Sequence, residues 1–164
     1  MPESVVLMIR VLLLLGIANG TPIFAKKLFG KRFGSPLDGG LKFIDGRPLL
    51  GPSKTLRGLL LSLAFTTLAA PLLGFEWIIG AGLAGASMLG DLFSSFSKRR
   101  LALPAHSQAP GLDQIPESLL PLLLLRNQLV LSGGEIVATV LLFIALEIVL
   151  SRMLFRLRIR DRPY

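Results

Sequence analysis

Five apolar stretches constrain this chain more than any other feature of its sequence. Each is close to the ~20 residues that a helix needs to cross ~30 Å of hydrocarbon. Breaker residues separate the second stretch from the third and the fourth from the fifth, which indicates tight helical hairpins. We therefore predict an all-α polytopic membrane protein with a single transmembrane domain. The five predicted transmembrane helices cover residues 4–24, 55–73, 77–96, 115–131 and 135–157.

The composition supports the membrane assignment. Hydrophobic residues make up 52% of the 164 residues, and the mean hydropathy is +0.67, which is too apolar for a soluble domain of this size. The N-terminus lacks a basic leader and a cleavage site of small residues, so we expect no removable signal peptide. The absence of cysteine excludes a disulfide framework and a thiolate metal site.

Lysine and arginine are unevenly distributed, and their placement predicts the orientation in the membrane. They concentrate in the segments 25–54 and 97–114 and in a basic tail, 158–164, whereas the other two connections have none. The N-terminus is therefore predicted outside and the C-terminus in the cytosol, across the cell membrane. The two cytosolic loops should carry the active site. We expect the tail to contact the anionic leaflet, and we expect no nucleic-acid partner.

A carboxylate interrupts the third predicted span. Asp91 lies inside the stretch 77–96, and an ionisable side chain at that depth suggests a function. The structural alternative is an ion pair of Asp91 with Lys98 or Arg99. Helical spacing places Asp91 on a polar stripe with Ser87, Ser94, Ser95 and Lys98.

Small residues also recur every four positions in this span, at Gly82, Ala86 and Gly90. Such a ridge lets helices pack closely in lipid, so the third span should be central. The same ridge suits an interface between two copies of the chain, so a homodimer is an alternative use of it.

A second carboxylate, Asp113, precedes the fourth predicted span. The loop 97–114 is short, so Asp113 and Asp91 can lie at the same cytosolic boundary of the membrane. Two carboxylates beside several cations are typical of a Mg²⁺–phosphate site, because Mg²⁺ takes one or two protein carboxylates together with water and phosphate oxygens.

The second predicted span opens with Lys54, Thr55 and Arg57. A helix N-terminus presents free N–H groups and a positive dipole end, so these residues could form a phosphate clamp. The alternative is a positively charged anchor whose side chains reach the membrane interface.

The segment 36–47 is rich in glycine and carboxylate. One interpretation is a nucleotide pocket, in which backbone N–H groups with Asp38 or Asp45 bind a base or ribose. The alternative is turn chemistry, because Asp-Gly is a common turn pair. Asp45-Gly46 could close a short hairpin with a type I′ turn, and an irregular loop is equally compatible with the surrounding prolines and glycines.

Two sets of motifs resemble a known enzyme family. Residues 90–99 read GDLFSSFSKR and are followed by Asp113-Gln114, which resembles the signature of the membrane CTP:phosphatidate cytidylyltransferases. The upstream motifs are DGG at 38–40, DG at 45–46 and GPSKTLRG at 51–58. They are similar to the short archaeal branch of that family, the CDP-archaeol synthases. The resemblance covers about residues 36–58 and 87–117.

The resemblance implies a Mg²⁺-dependent nucleotidyltransferase of phospholipid biosynthesis. It would convert CTP and the phosphate of an isoprenoid glyceryl-ether lipid into CDP-archaeol and pyrophosphate. By matching position, Asp91 and Asp113 would be the metal ligands, and Lys98 and Arg99 would contact phosphate. The candidate nucleotide-binding residues are Asp38, Gly39, Asp45, Gly46, Lys54, Thr55, Arg57, Ser94 and Ser95.

The sequence departs from the family signature after Asp113. The last Asp of the signature is replaced by Pro116, with Glu117 next. This leaves open whether Glu117 is a ligand and whether one or two ions bind.

Other functions fit the sequence less well. A small ion or phosphate transporter would use Asp91, Arg126 and Glu147 as a path across the bilayer, but the polar groups crowd at the cytosolic end. A CDP-alcohol phosphotransferase is disfavoured, because Asp91 has no carboxylate three or four residues away. A phosphatidate cytidylyltransferase differs only in its lipid, and no motif chooses between ether and ester lipids.

Overall fold

Helices account for the regular structure of the described residues. The computed structural model describes residues 2–103, 107 and 109–159, and β pairing among these is limited to two isolated bridges. The predicted all-α class is confirmed for this part of the chain. In chain order the helices are α1 (Glu3–Phe29), α2 (Leu56–Leu72), α3 (Trp77–Arg100), α4 (Gln114–Leu124), α5 (Arg126–Leu129) and α6 (Gly133–Arg156).

Three of these helices, α1, α3 and α6, are long and apolar enough to cross a membrane. Helix α2 is apolar but has only 17 residues. The predicted fourth span, 115–131, is not one helix, because it divides at Leu125 into α4 and α5. The chain then turns at Val130, whose φ of 53° is left-handed. The number of spans and their orientation therefore stay predictions.

Two helices extend beyond the predicted spans. Helix α1 continues past residue 24 to Phe29 and ends where Gly30 adopts a φ of 55°. Helix α3 continues past residue 96 to Arg100, and Ala102 behind it has a φ of 58°. Lys98 and Arg99 are thus held on a helix and not on the predicted loop 97–114.

Helix α3 lies at the centre of the bundle and packs against α1, α2 and α4. Half of its apolar window is buried (50%), compared with 22% for α1 and 28% for α6. The predicted ridge is used within the chain: a Cβ atom added to Gly82 would lie 3.3 Å from Leu125, and one added to Gly90 would overlap the Pro116 carbonyl. Gly80 packs in the same way against α2, with Ala70 Cβ 2.5 Å from the added atom.

The segment between α1 and α2 contains a short hairpin. Lys42 and Pro48 form an isolated antiparallel bridge, and the Phe43 N–H donates to the Arg47 carbonyl (2.8 Å). Of the two alternatives that the sequence left open, a short hairpin and an irregular loop, the structure has the hairpin, but its turn is not of type I′. Asp45 is not among the residues with positive φ, whereas Gly46 has a φ of 74°. The turn therefore runs from Phe43 to Gly46, and its last residue, Gly46, is the one in the left-handed conformation.

Some predicted features lie outside the described residues. These are residues 160–164 of the basic tail 158–164, and residues 104–106 and 108 of the loop 97–114.

Candidate active site

The side chains of Lys54 and Asp91 form the centre of the site. Lys54 Nζ lies 2.5 Å from both carboxylate oxygens of Asp91. Lys54 directly precedes α2, and Thr55 caps that helix by accepting from the Gly58 N–H (3.2 Å). The sequence suggested Lys98 or Arg99 as the ion-pair partner of Asp91, whereas the structure pairs Asp91 with Lys54 and pairs Lys98 with Asp113. Thr55 contributes by ordering the start of α2.

Glu117 completes a carboxylate pair. It lies on α4, is 7% exposed, and its carboxyl group is in hydrogen-bond contact with that of Asp91. The close approach of Gly90 to the backbone of Pro116 brings the two together, since an added Cβ at Gly90 would be 2.7 Å from the Glu117 nitrogen. The sequence signalled Glu117 only through the changed end of the family signature.

Asp113 occupies the other end of the same charged cluster. One carboxylate oxygen pairs with Lys98 Nζ at 2.6 Å, and the other accepts from the Ala109 N–H (3.0 Å). Burial lowers the pKa of Lys54, but the negative charges of Asp91, Glu117 and Asp113 outweigh that effect and raise it above its usual range. All three carboxylates therefore act on one ammonium group.

The remaining α3 residues predicted for the site lie on its buried face. Ser94 and Ser95 are 1% and 4% exposed, and the Ser94 hydroxyl donates to the Gly90 carbonyl of its own helix (2.9 Å). Arg99 is 8% exposed and interacts electrostatically with Asp113. These positions surround the charged cluster, and their contact with a nucleotide stays a prediction.

Asp38 orders the loop that carries Lys54. Its Oδ1 accepts from the Gly40 N–H (3.0 Å), and its Oδ2 accepts from the N–H groups of Leu50 (2.8 Å) and Gly51 (3.1 Å). Burial raises the pKa of Asp38, but these three donors outweigh it and hold the pKa below its usual range. Gly39 next to it is left-handed (φ 58°). The structure gives Asp38 a role in folding the loop, and a role in nucleotide binding stays a prediction.

Two residues predicted to bind the nucleotide, Asp45 and Arg57, form their contacts with parts of the chain other than the Lys54–Asp91 pair. Asp45, in the turn with Gly46, pairs with Arg100 at the end of α3 (2.5 Å). The Arg57 guanidinium donates to the Gly30 carbonyl (3.3 Å) and to the Arg32 carbonyl, so it ties α2 to the end of α1.

Two cavities adjoin these elements. A small one of about 60 Å³ lies beside Lys54 and Asp91 and is also lined by Pro22, Ser53 and Met88. A larger groove of about 570 Å³ is apolar and lies between α1, Phe65 of α2 and Leu146 and Leu150 of α6. Asp91 is the carboxylate that lines the small cavity, which is far too small for a nucleotide.

The donor set fits a hard divalent cation. Two carboxyl groups in direct contact need a proton or a cation between them, because two adjacent negative charges repel. In the described part of the chain, no group of three or more His, Cys, Asp or Glu side chains is arranged to hold a metal ion. Carboxylate oxygens are ligands that Mg²⁺ prefers, and it binds through one or two of them together with water and phosphate oxygens.

Comparison with known proteins identifies the family of the chain. The CarS-like family model, described as CDP-archaeol synthase, matches residues 75–164. The CDP-archaeol synthase of Sulfurisphaera tokodaii is 35% identical over 154 residues, which cover 90% of this chain and 89% of the relative. That of Sulfolobus acidocaldarius is 38% identical over 154 residues, which cover 90% and 91%.

A solved structure has the same fold. It is described as an intramembrane enzyme for archaeal membrane lipid biosynthesis, is 30% identical and superposes with a TM-score of 0.73. The match covers 86% of this chain and 90% of the other. The chain therefore belongs to the CarS-like family, the CDP-archaeol synthases.

Proposed function

We propose that this protein transfers CMP from CTP to the phosphate of an isoprenoid glyceryl-ether lipid, with Mg²⁺ as its cofactor. A lipid phosphate oxygen attacks the α-phosphorus of CTP, the bond to the β-phosphate breaks, and the products are unsaturated CDP-archaeol and pyrophosphate. The observation that carries the proposal is the Lys54–Asp91–Glu117 cluster, which joins a loop, the central helix and α4. The family supplies the two substrates, CTP and the archaeol phosphate lipid.

The chemistry suits these side chains. A lipid phosphate is already an anionic nucleophile at neutral pH, so no general base is required. Catalysis of such a transfer consists mainly of positioning and charge neutralisation. Lys54, Lys98 and Arg99 supply cationic groups for the phosphates, and Asp91, with Asp113 or Glu117, would hold the metal. When bound, Mg²⁺ would neutralise charge on the transferring phosphoryl group and orient it.

The apolar groove along α1 supports a lipid substrate. Its lining is hydrocarbon and aromatic, with Ile9, Leu13 and Phe24 among the exposed side chains. Isoprenoid chains would pass from the bilayer into this groove without crossing water, because its lining is as apolar as the lipid tails themselves. The headgroup of such a lipid would then lie near the end of α1 that carries Lys26 and Lys27.

The five-span arrangement is part of the proposal. With the N-terminus outside and the C-terminus in the cytosol, the basic loops and the charged cluster face the side where CTP is present. The chain has no cysteine, so single introduced cysteines report their side unambiguously. Ile44→Cys should react with an impermeant maleimide only in inverted vesicles, and Glu76→Cys only in intact cells. The reverse pattern contradicts this orientation.

The reaction is tested by pyrophosphate release from the purified protein in detergent with CTP, Mg²⁺ and synthetic lipid phosphates. Release is expected with the geranylgeranyl ether lipid and is expected to stop with EDTA. Turnover with phosphatidate alone would assign the ester lipid instead. Absence of turnover with every lipid, together with phosphate uptake by proteoliposomes lacking CTP, would favour a transporter. A homodimer is tested separately by light scattering of the detergent complex.

A further inference from the structure

The hairpin 41–49 and the end of α3 hold each other through an exchange of arginines. Arg47 of the hairpin donates to the Arg100 carbonyl (2.6 Å) and to the Arg99 carbonyl (3.5 Å), two of the carbonyls that end α3. Arg100 of the helix donates in return to Asp45 Oδ1 (2.5 Å) and to the Pro48 carbonyl (2.6 Å). Each arginine thus satisfies acceptors of the other element.

Aromatic rings complete this contact. The Arg100 guanidinium lies 4.6 Å from the ring centroid of Phe43 and 4.9 Å from that of Phe96. The two rings meet edge to face, with their centroids 5.3 Å apart. Only a planar guanidinium can stack on a ring while its fork donates to two acceptors, so lysine is not equivalent here.

The hairpin continues directly into the loop that holds Lys54. Behind the hairpin, Leu50 and Gly51 donate to Asp38. The Leu37 N–H donates to the Lys54 carbonyl (2.7 Å). On the helix side, Arg100 follows Lys98 and Arg99, and a Cβ added to Gly51 would lie 4.0 Å from the Arg99 side chain. The arginine exchange therefore joins the two parts of the chain that carry the cations of the site.

We propose that Arg47 and Arg100 are positioning residues that hold the loop 38–54 against α3, so that Lys54 and Arg99 approach the same phosphates. The expected kinetic effect of this positioning rests on the proposed function, whereas the contact between the loop and α3 does not. Arg100 acts through Asp45 and the hairpin, because two of its guanidinium nitrogens already donate to protein acceptors. Asp45 accordingly serves the loop and not the base of the nucleotide.

The kinetic test is a double-mutant cycle of Arg100→Gln and Asp45→Asn. We expect Arg100→Gln to lower kcat/KM for CTP by roughly a hundredfold, the size of effect that a small misplacement causes. Because both substitutions break the same Arg100–Asp45 contact, kcat/KM of the double variant should be no lower than that of Arg100→Gln. Arg100→Lys should not restore activity. Lys42→Gln is the matched control, since it removes a cation from the exposed surface of the same hairpin, and it should keep wild-type kinetics.

Two kinetic results would overturn the proposal. One is additive losses in the cycle, which would mean that Asp45 and Arg100 act separately on the substrate. The other is nearly full activity of Arg100→Lys together with wild-type behaviour of Asp45→Asn, which would make Arg100 a direct phosphate ligand.

A spectroscopic test needs no turnover. Ile44 at the tip of the hairpin is 95% exposed, so a nitroxide on Ile44→Cys reports the mobility of the hairpin without disturbing its packing. The mobility of the label should increase after Arg100→Gln relative to the parent, because the hairpin backbone is released, and it should not change after Lys42→Gln. An unchanged spectrum in a folded Arg100→Gln variant refutes the clamp, whatever reaction the protein catalyses. Elution of each variant as a single detergent complex establishes that it is folded.

Discussion

The ammonium group of Lys54 lies 2.5 Å from each carboxylate oxygen of Asp91 and thereby connects the start of α2 to the middle of the central helix α3. The pair is only about one-fifth exposed, with side-chain exposures of 20% and 21%. Removing one partner leaves the other charge poorly solvated, so the pair stabilises the fold. Under the proposed function it would also serve catalysis.

Replacing Lys54 separates these two roles. Lys54→Met should abolish turnover and lower the free energy of unfolding by on the order of 3 kcal/mol, because Asp91 is left without its cation. The double variant Lys54→Met/Asp91→Asn should regain most of the thermal stability but none of the activity. Thermal unfolding in detergent and pyrophosphate release measure the two effects. Equal instability of the single and double variants would show that the pair is not what Lys54 stabilises.

The carboxylates can be ranked by their response to Mg²⁺. Asp91→Asn should abolish turnover at every Mg²⁺ concentration, and so should Asp113→Asn if it is a ligand. Glu117→Gln should raise the Mg²⁺ concentration for half-maximal rate about tenfold or more, the scale seen when a metal site loses a supporting group. Titration of the rate with Mg²⁺ at saturating CTP distinguishes them. Near wild-type rates of any one variant remove that residue from the metal site.

Gly90 provides a test of helix spacing. Gly90→Ala places a methyl group on the Pro116 carbonyl, so α3 and α4 must separate, and Asp91 loses Glu117. We expect a loss of about 3 kcal/mol, the upper range for overpacking, and a large loss of activity. Gly85→Ala is the matched control on the same helix, since its added Cβ meets only Leu63 at 3.9 Å. It should be neutral or slightly stabilising.

The loop around Asp38 should open in acid. Its pKa is depressed in the folded state, after burial is offset by the N–H groups of Leu50, Gly40 and Gly51. Its stabilisation is therefore complete above the unfolded-state pKa of about 3.9 and is lost as the pH falls through the lower folded value.

Limited proteolysis by pepsin checks this prediction. Cleavage within residues 37–55 should begin only below about pH 4 in the parent. Asp38→Asn should allow cleavage at every pH accessible to the protease, because one of the two oxygens that accept N–H groups is replaced by an amide NH₂, which can only donate. Identical pH profiles of parent and variant would show that Asp38 does not order the loop.

Sequence reasoning predicted most of the helices and placed Asp91 within the third of them, because apolar runs and an isolated carboxylate are visible in one dimension. The approximate starts of α2 and α3 followed from Thr55 and from the break at Gly74. The ion pairs did not follow, since Lys54 and Asp91 are far apart in the chain and only the folded loop makes them neighbours. The contacts of Arg47 and Arg100 did not follow either. Arg47 donates to backbone carbonyls, which carry no residue-type signal, and the side-chain partner of Arg100, Asp45, is distant in the chain.

The shortness of α4 has a consequence for the lipid around the protein. Its 11 residues span about 16 Å, and the exposed polar residues Arg126, Asn127 and Gln128 follow directly. In the five-span arrangement this apolar length falls well short of the ~30 Å of a typical hydrocarbon core. Such a mismatch is relieved by local thinning of the bilayer. A membrane pinched against α4 would carry its headgroups toward Glu117, so the bilayer itself would deliver a lipid phosphate to the depth of the site.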